Sequence, residues 1–183
     1  MLLTQSPYGF SHLSLSIISS MNTQQIQALV GSQISSMTHA QLAVITGEQL
    51  AKFSAKQMSQ FTDAQMAFLT PSAWAKVPPA NFQRMWPEQF MFLTASQVAA
   101  MTRAQLQSLD SRHISLLNVS ELSIAQLNYK CSSGWTIFNA LTKTQFSSLS
   151  SDQLSKLSLN QLSGLSSDFL NSLSIEKIEL LNL

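Results

Sequence analysis

The chain has 183 residues, of which 45% are hydrophobic and only 10% are charged, and its net charge is +1. That is enough apolar material for a sizeable core, while the near-neutral charge argues against nucleic-acid binding. A single cysteine, Cys131, excludes an internal disulfide framework. No apolar run approaches the roughly 20 residues of a membrane-spanning helix.

An eight-residue unit, Thr/Ser-x-x-Gln-Leu-x-x-Leu, repeats in constant phase from Ser6 to Leu181, which gives 22 octads over 176 residues. Thr38 to Ile45 is a clear copy. Position one is Ser or Thr in 14 octads, position four is Gln in 12, and positions five and eight are each apolar in 21. Such self-similarity at a fixed period is the signature of a repeat architecture.

Each octad carries the pattern of a helix start. A Ser or Thr followed three residues later by Gln is a capping box, and the apolar residues at positions eight and five form the accompanying hydrophobic staple. Four prolines fall at position two, the first helical residue, where proline is well tolerated. They are Pro7, Pro71, Pro79 and Pro87.

A single continuous helix cannot use this pattern, because eight residues leave the apolar positions displaced by roughly 80° per repeat. The sequence therefore predicts an all-α solenoid or superhelix of about 22 short capped helices, one per octad. Positions five and eight should lie inside. Helices this short need neighbouring repeats for stability. Small residues at position six, such as Ala43 and Ala51, predict close approach of consecutive helices there.

In chain order, residues 1–21 are predicted to form an irregular N-terminal cap, and the octad solenoid is predicted over residues 6–122. Residues 123–141 are predicted to form an irregular joint or loop, followed by a C-terminal octad segment, 142–183. Ser123 to Leu127 forms a copy shifted by three residues. Lys130 and Ser133 then fall where the frame requires apolar residues.

The tandem copies in residues 22–122 and 142–181 resemble the short-repeat tracts of bacterial adhesin-like surface proteins and effector-like proteins. The resemblance rests on the octad alone and brings no catalytic residues with it. It implies a scaffold or interaction role, with export by a non-classical bacterial secretion system as one route, since the sequence shows no recognisable signal peptide.

Catalysis has little support in the sequence. His12, His39 and His113 occupy octad positions seven, two and four, and no Cys–His, Ser–His–Asp or metal-ligand spacing occurs. We therefore predict no enzyme activity, no catalytic residue, no metal site and no cofactor. Rows of hydroxyl side chains also occur on ice-binding proteins, but here the hydroxyls are predicted to be occupied as helix caps.

The candidate binding surface comes from position seven, which we expect to face solvent or a groove. Between residues 68 and 103, aromatic and cationic side chains interleave at and near this position, and exposed aromatic and Arg residues are typical interface anchors. The candidate residues are Phe68, Lys76, Arg84, Trp86, Met91, Phe92 and Arg103. Alternatively, the two Phe side chains widen the core and the cations are merely solvated.

Two functions remain open at this point. The first is a non-enzymatic scaffold that binds a protein partner, such as a secreted bacterial effector. The second is a structural spacer or adhesin-type segment without a specific small ligand. Neither the partner nor the oligomeric state follows from the sequence.

Overall fold

The computed structural model describes residues 7–132 and 134–181. The exception expected at Ser133 and the first six residues of the predicted N-terminal cap lie outside this range. The described residues form short helices throughout and contain no strand beyond one isolated antiparallel bridge between Lys130 and Thr136. None of the described helices has the length and apolarity required to cross a membrane.

Along residues 7–132 and 134–181, nineteen α-helices and two 3-10 helices follow one another, nearly all starting in the octad frame. The α-helices are α1 Pro7–Phe10, α2 Leu15–Ser19, α3 Thr23–Gln27, α4 Gly31–Ser35, α5 His39–Ala43, α6 Gly47–Leu50, α7 Ala55–Met58, α8 Asp63–Met66, α9 Pro71–Trp74, α10 Pro79–Phe82, α11 Ala95–Ala99, α12 Arg103–Ser108, α13 Ser111–Leu116, α14 Ile124–Leu127, α15 Lys143–Ser148, α16 Ser151–Ser155, α17 Leu159–Ser163, α18 Ser167–Leu170 and α19 Ile175–Glu179. The 3-10 helices are Pro87–Phe92 and Phe138–Ala140.

The predicted caps form in the structure. At α5, Thr38 Oγ1 accepts from the Gln41 N–H at 3.3 Å, and Gln41 Oε1 accepts from the Thr38 N–H at 2.9 Å. The same reciprocal pair opens ten further helices whose cap is Ser, Thr or Asn. Val30 and Trp86 hold cap positions without a side-chain acceptor, so there only the Gln half of the box is made.

The core consists of positions five and eight, as predicted. Leu42, Leu50, Met58 and Met66 at position five are fully buried, and position eight of the same octads is nearly so. The expectation for position six is wrong where its residue is exposed, as at Ala43. Consecutive helices therefore do not meet closely there.

The glutamine at position four makes a second set of bonds that the capping box does not require. Gln97 is fully buried, and while its Oε1 accepts from the Thr94 N–H, its Nε2 donates to the Met66 and Leu69 carbonyls at 2.7 Å each. These carbonyls lie 31 and 28 residues earlier in the chain. One amide thus caps its own helix and joins it to a distant octad.

This bond pair recurs with the same two sequence offsets along the chain. The glutamines that make it are Gln41, Gln49, Gln57, Gln65, Gln89, Gln97, Gln105 and Gln145. Helices also contact the third octad along, as α6 does α9, and as α9 does α11. The repeats therefore pack against octads three to four positions away.

The octads keep packing against one another around the irregular segment, because one copy of the repeat is shifted along the chain. Ser123 and Gln126 form the capping box of α14, which confirms a copy displaced by three residues. Downstream, Gln153 donates to Val119 and Leu122, at offsets of 34 and 31 residues. Each offset is three residues longer than elsewhere, because the chain from Ser123 to Leu149 has 27 residues where three octads would have 24. The division into segments at residues 123–141 stays a prediction.

Candidate functional site

The most exposed part of the candidate surface is the octad that begins at Trp86. Trp86 is 64% exposed and Met91 58%, at the two ends of the 3-10 helix Pro87–Phe92, and Phe92 is 42% exposed. The same helix sends Gln89 and Phe90 into the core, at 3% and 0% exposure. One short helix therefore anchors itself by its inner face while it presents three large apolar side chains to solvent.

Phe68 belongs to an octad that packs against the octad of Trp86. It follows α8, and α8 contacts the 3-10 helix Pro87–Phe92. The Phe68 ring stacks on the His39 imidazole, with ring centroids 3.5 Å apart and planes inclined by 9°, and it remains 39% exposed. We call the side chains of Phe68, Trp86, Met91 and Phe92 the apolar surface.

The cationic candidates belong to other helices. Lys76 follows α9, where its side chain lies against Gly47 of α6, and a Cβ atom at Gly47 would be only 2.7 Å from Lys76 Cγ. Arg84 follows α10, which contacts α12, the helix that begins at Arg103. The cationic candidates therefore lie on or after other helices than the aromatic ones, and the seven-residue surface stays a prediction.

The side chain at position seven is exposed in most octads, but it still contacts another octad. It lies on position two of the octad three copies earlier, as Phe68 does on His39 and Lys76 does on Gly47. Gln60 lies in the same way against Gly31. Glycine at position two thus gives room for the side chain that covers it.

The buried histidine occupies the place of a glutamine. His113 is 2% exposed, its Nδ1 lies 2.8 Å from Asp110 Oδ1, and its Nε2 lies 3.4 Å from the Met85 carbonyl, 28 residues earlier. The ring edge packs on Phe90, with centroids 5.0 Å apart. Both ring nitrogens are therefore occupied by structural contacts, one at the cap of α13 and one with the distant Met85 carbonyl.

The pKa of the Asp110 carboxyl group is lowered by its surroundings. Partial burial raises the pKa of Asp110, but hydrogen bonds from the Arg112 guanidinium and from His113 outweigh burial and lower the pKa from 3.8 to about 2. Arg112 Nη2 lies 2.8 Å from Asp110 Oδ2. The hydrogen bonds that lower this pKa are the ones made at the cap of α13.

Other chemistry-bearing side chains do not cluster. Within residues 7–132 and 134–181, no three His, Cys, Asp or Glu side chains come together in a way that could hold a metal ion. Cys131 is 5% exposed, and its thiol donates to the Trp135 carbonyl at 3.1 Å.

The sequence reasoning missed one exposed aromatic residue. Trp135 is 62% exposed beside Gly134, whose φ is +86°, in the turn between the bridged residues Lys130 and Thr136. A Gly-Trp pair at the one place where the octad fails was the available signal. Comparison with protein-family models finds no match for the chain, and comparison with curated proteins finds none either.

Proposed function

We propose that the chain is an α-solenoid that serves as a non-enzymatic protein-interaction scaffold, with the apolar surface as its docking site. The solenoid interpretation is supported by the constant offsets of the glutamine bonds, because regular stacking of successive turns produces constant offsets. Contacts with the third octad and bonds to the fourth imply between three and four octads per turn.

The observation that carries the interaction role is Trp86. An indole at a helix cap position makes no cap hydrogen bond, and 64% of it faces solvent, so it contributes little to folding. A residue that breaks the local rule without a folding benefit is a candidate functional residue. Met91 and Phe92 on the same helix add apolar area beside it, and aromatic residues dominate binding hot spots.

The resemblance of the octad to tracts of bacterial adhesin-like and effector-like proteins supports the same class of role. Within this proposal the scaffold acts after export, by a non-classical secretion route, on a protein of another cell. The second candidate function is a spacer or adhesin-type segment. It is favoured by α15 to α19, whose octads begin with Thr or Ser and present mainly short polar residues.

Trp86→Ser tests the interaction role. Serine is a preferred cap, so the free energy of unfolding should stay unchanged or rise slightly. Binding of the protein partner should weaken by at least about 1 kcal/mol, as for an aromatic anchor. Leu159→Ser is the matched control, because Leu159 is 70% exposed but lies in a segment outside the apolar surface.

The measurement is a quantitative pull-down with immobilised wild type, Trp86→Ser and Leu159→Ser, followed by titration of any retained protein. The interaction role predicts a partner that wild type and Leu159→Ser retain and Trp86→Ser loses. Equal retention by all three proteins would favour the spacer. Unfolding of Trp86→Ser would show that the indole is a packing residue, and it would remove the main support for the apolar surface.

A further inference from the structure

The segment that interrupts the octads forms a hairpin, described over residues 129–132 and 134–137. Its arms are joined by two backbone bonds: the Cys131 N–H donates to the Trp135 carbonyl at 2.8 Å, and the Ile137 N–H donates to the Tyr129 carbonyl at 2.9 Å. The turn closes with a bond from the Gly134 N–H to the Cys131 carbonyl at 2.9 Å. The positive φ of Gly134 requires a residue without a side chain.

The hairpin is also tied to the repeat beneath it. Both the N–H and the hydroxyl of Ser132 donate to the Leu109 carbonyl, at 2.9 and 2.8 Å. The buried Cys131 and the fully buried Ile137 fix the two arms to the core. These contacts hold the described residues of the hairpin in place, so ordering them on binding would cost little free energy.

Aromatic and cationic side chains lie on the hairpin and at its base. Trp135 is 62% exposed at the turn, and Lys130 is exposed on the arm that bridges to Thr136. At the base of the hairpin, the Arg103 guanidinium lies 5.1 Å above the Tyr129 ring centroid. Among the described residues, the ion pairs within 4.0 Å involve other cations, and neither Arg103 nor Lys130 takes part in one.

From this arrangement we infer that the hairpin is a second docking site, which binds an acidic peptide segment of a partner protein. The two unpaired cations supply charge complementarity to carboxylates, and Trp135 supplies the apolar anchor. The Tyr129 ring holds the Arg103 guanidinium in place by a cation–π contact. The octads regain their phase at Leu141, so the hairpin adds this surface without disturbing the solenoid.

The second docking site does not depend on the apolar surface around Trp86, and it is tested with a defined probe. The probe is an array of short peptides rich in Glu and Asp, each with one central aromatic or Leu residue. The same peptides with Lys in place of every acidic residue form the reference set. Labelled wild-type protein should bind the acidic set at least about tenfold more tightly than the lysine set, and added salt should weaken this binding.

Three variants identify the residues responsible. Trp135→Ser and Arg103→Glu should each weaken binding to the acidic peptides by at least about tenfold, the size expected for an interface anchor. Lys52→Glu is the control for Arg103→Glu, because Lys52 is exposed on a distant octad, and it should change binding less than about twofold. Circular dichroism of each variant should match wild type, since the substituted side chains are exposed.

The variants also separate this site from the apolar surface. Trp86→Ser should bind the acidic peptides as wild type does, whatever its effect on another partner. Equal binding of acidic and lysine peptides would overturn the inference, as would unchanged binding by Trp135→Ser. Tighter binding of a single-stranded oligouridylate than of the acidic peptides would also overturn it, because it would assign the surface to nucleic acid.

Discussion

The glutamine at position four gives the sharpest test of how the repeat is held together. In a capping box, Glu serves as well as Gln, because only the side-chain oxygen is used. In this protein the amide nitrogen of Gln97 also donates to two carbonyls of a distant octad. Gln97→Glu keeps the cap acceptor and replaces that donor with an oxygen that faces two carbonyl oxygens.

The expected cost follows from these contacts. Two hydrogen bonds at 2.7 Å are lost, at about 1 kcal/mol each, and a buried, unsatisfied group adds about 1–3 kcal/mol. Gln97→Glu should therefore lower the free energy of unfolding by about 3–5 kcal/mol at pH 7. The side chain is fully buried, so solvent cannot relieve the new charge.

Gln25→Glu is the matched control. Gln25 caps α3 in the same way, with its Oε1 accepting from the Asn22 N–H at 2.8 Å, but its side chain is exposed. Glutamate there keeps the cap and suits the positive end of the helix, so the change should be within about 0.5 kcal/mol. Urea denaturation followed by far-ultraviolet circular dichroism measures both variants. Equal effects of the two substitutions would refute the bonding role of the amide nitrogen.

Two further predictions concern local stability. Leu106→Ala removes a fully buried side chain and should lower the free energy of unfolding by about 2–5 kcal/mol. Hydrogen exchange should show the greatest loss of protection near residue 106, and a uniform loss along the chain would contradict nearest-neighbour packing. Because the pKa of Asp110 is lowered to about 2, its carboxylate stabilises the fold above about pH 4, and this contribution should be lost between about pH 4 and pH 2. Asp110→Asn, which keeps the cap acceptor, should remove that part of the pH dependence of the urea midpoint, and an unchanged profile would contradict the assignment.

The sequence was sufficient to predict the helices and the core, because both depend on local rules. The cap at position one and the apolar residues at positions five and eight can be recognised within the sequence of a single octad. The structure confirmed this at Thr38 and Leu42. What could not be read locally was which octads touch, since neighbours in space lie about 24–31 residues apart in the chain.

One signal of the long-range bonds was nevertheless present. Position four is Gln in 12 octads and Glu only at Glu121, just before the irregular segment, although a capping box accepts either residue. A consistent preference for the amide indicates that its N–H donors are used. Two octads without Gln at position four make an equivalent bond. Asn81 donates to the Phe53 carbonyl at 2.8 Å, and Lys177 donates to the Leu149 carbonyl, also at 2.8 Å.

The candidate surface stays a prediction. Trp86 is 64% exposed, but Lys76, Arg84 and Arg103 lie on or after other helices than the one that carries Met91 and Phe92. Reading position seven as one continuous row assumed that successive octads face the same side. Packing against the third octad along instead turns each octad away from the one before it.

The central claim is that each octad stacks on the octad three copies earlier, and a disulfide between two rows tests it most directly. If Gly47 and Lys76 are both replaced by Cys, their Cβ atoms lie about 3.3 Å apart, close to the separation of about 3.5–4.5 Å that a disulfide requires. The experiment uses the Cys131→Ser background, so that only the introduced thiols can react. The control pair is Gly47→Cys with Arg84→Cys, because Arg84 follows α10, which lies against α7 instead of α6.

Mild oxidation of the monomer, followed by mass spectrometry, then decides the question. Stacking of every third octad predicts an intramolecular disulfide between positions 47 and 76 and none between positions 47 and 84. Formation of the 47–84 disulfide with none at 47–76, or formation of neither, would contradict the claim.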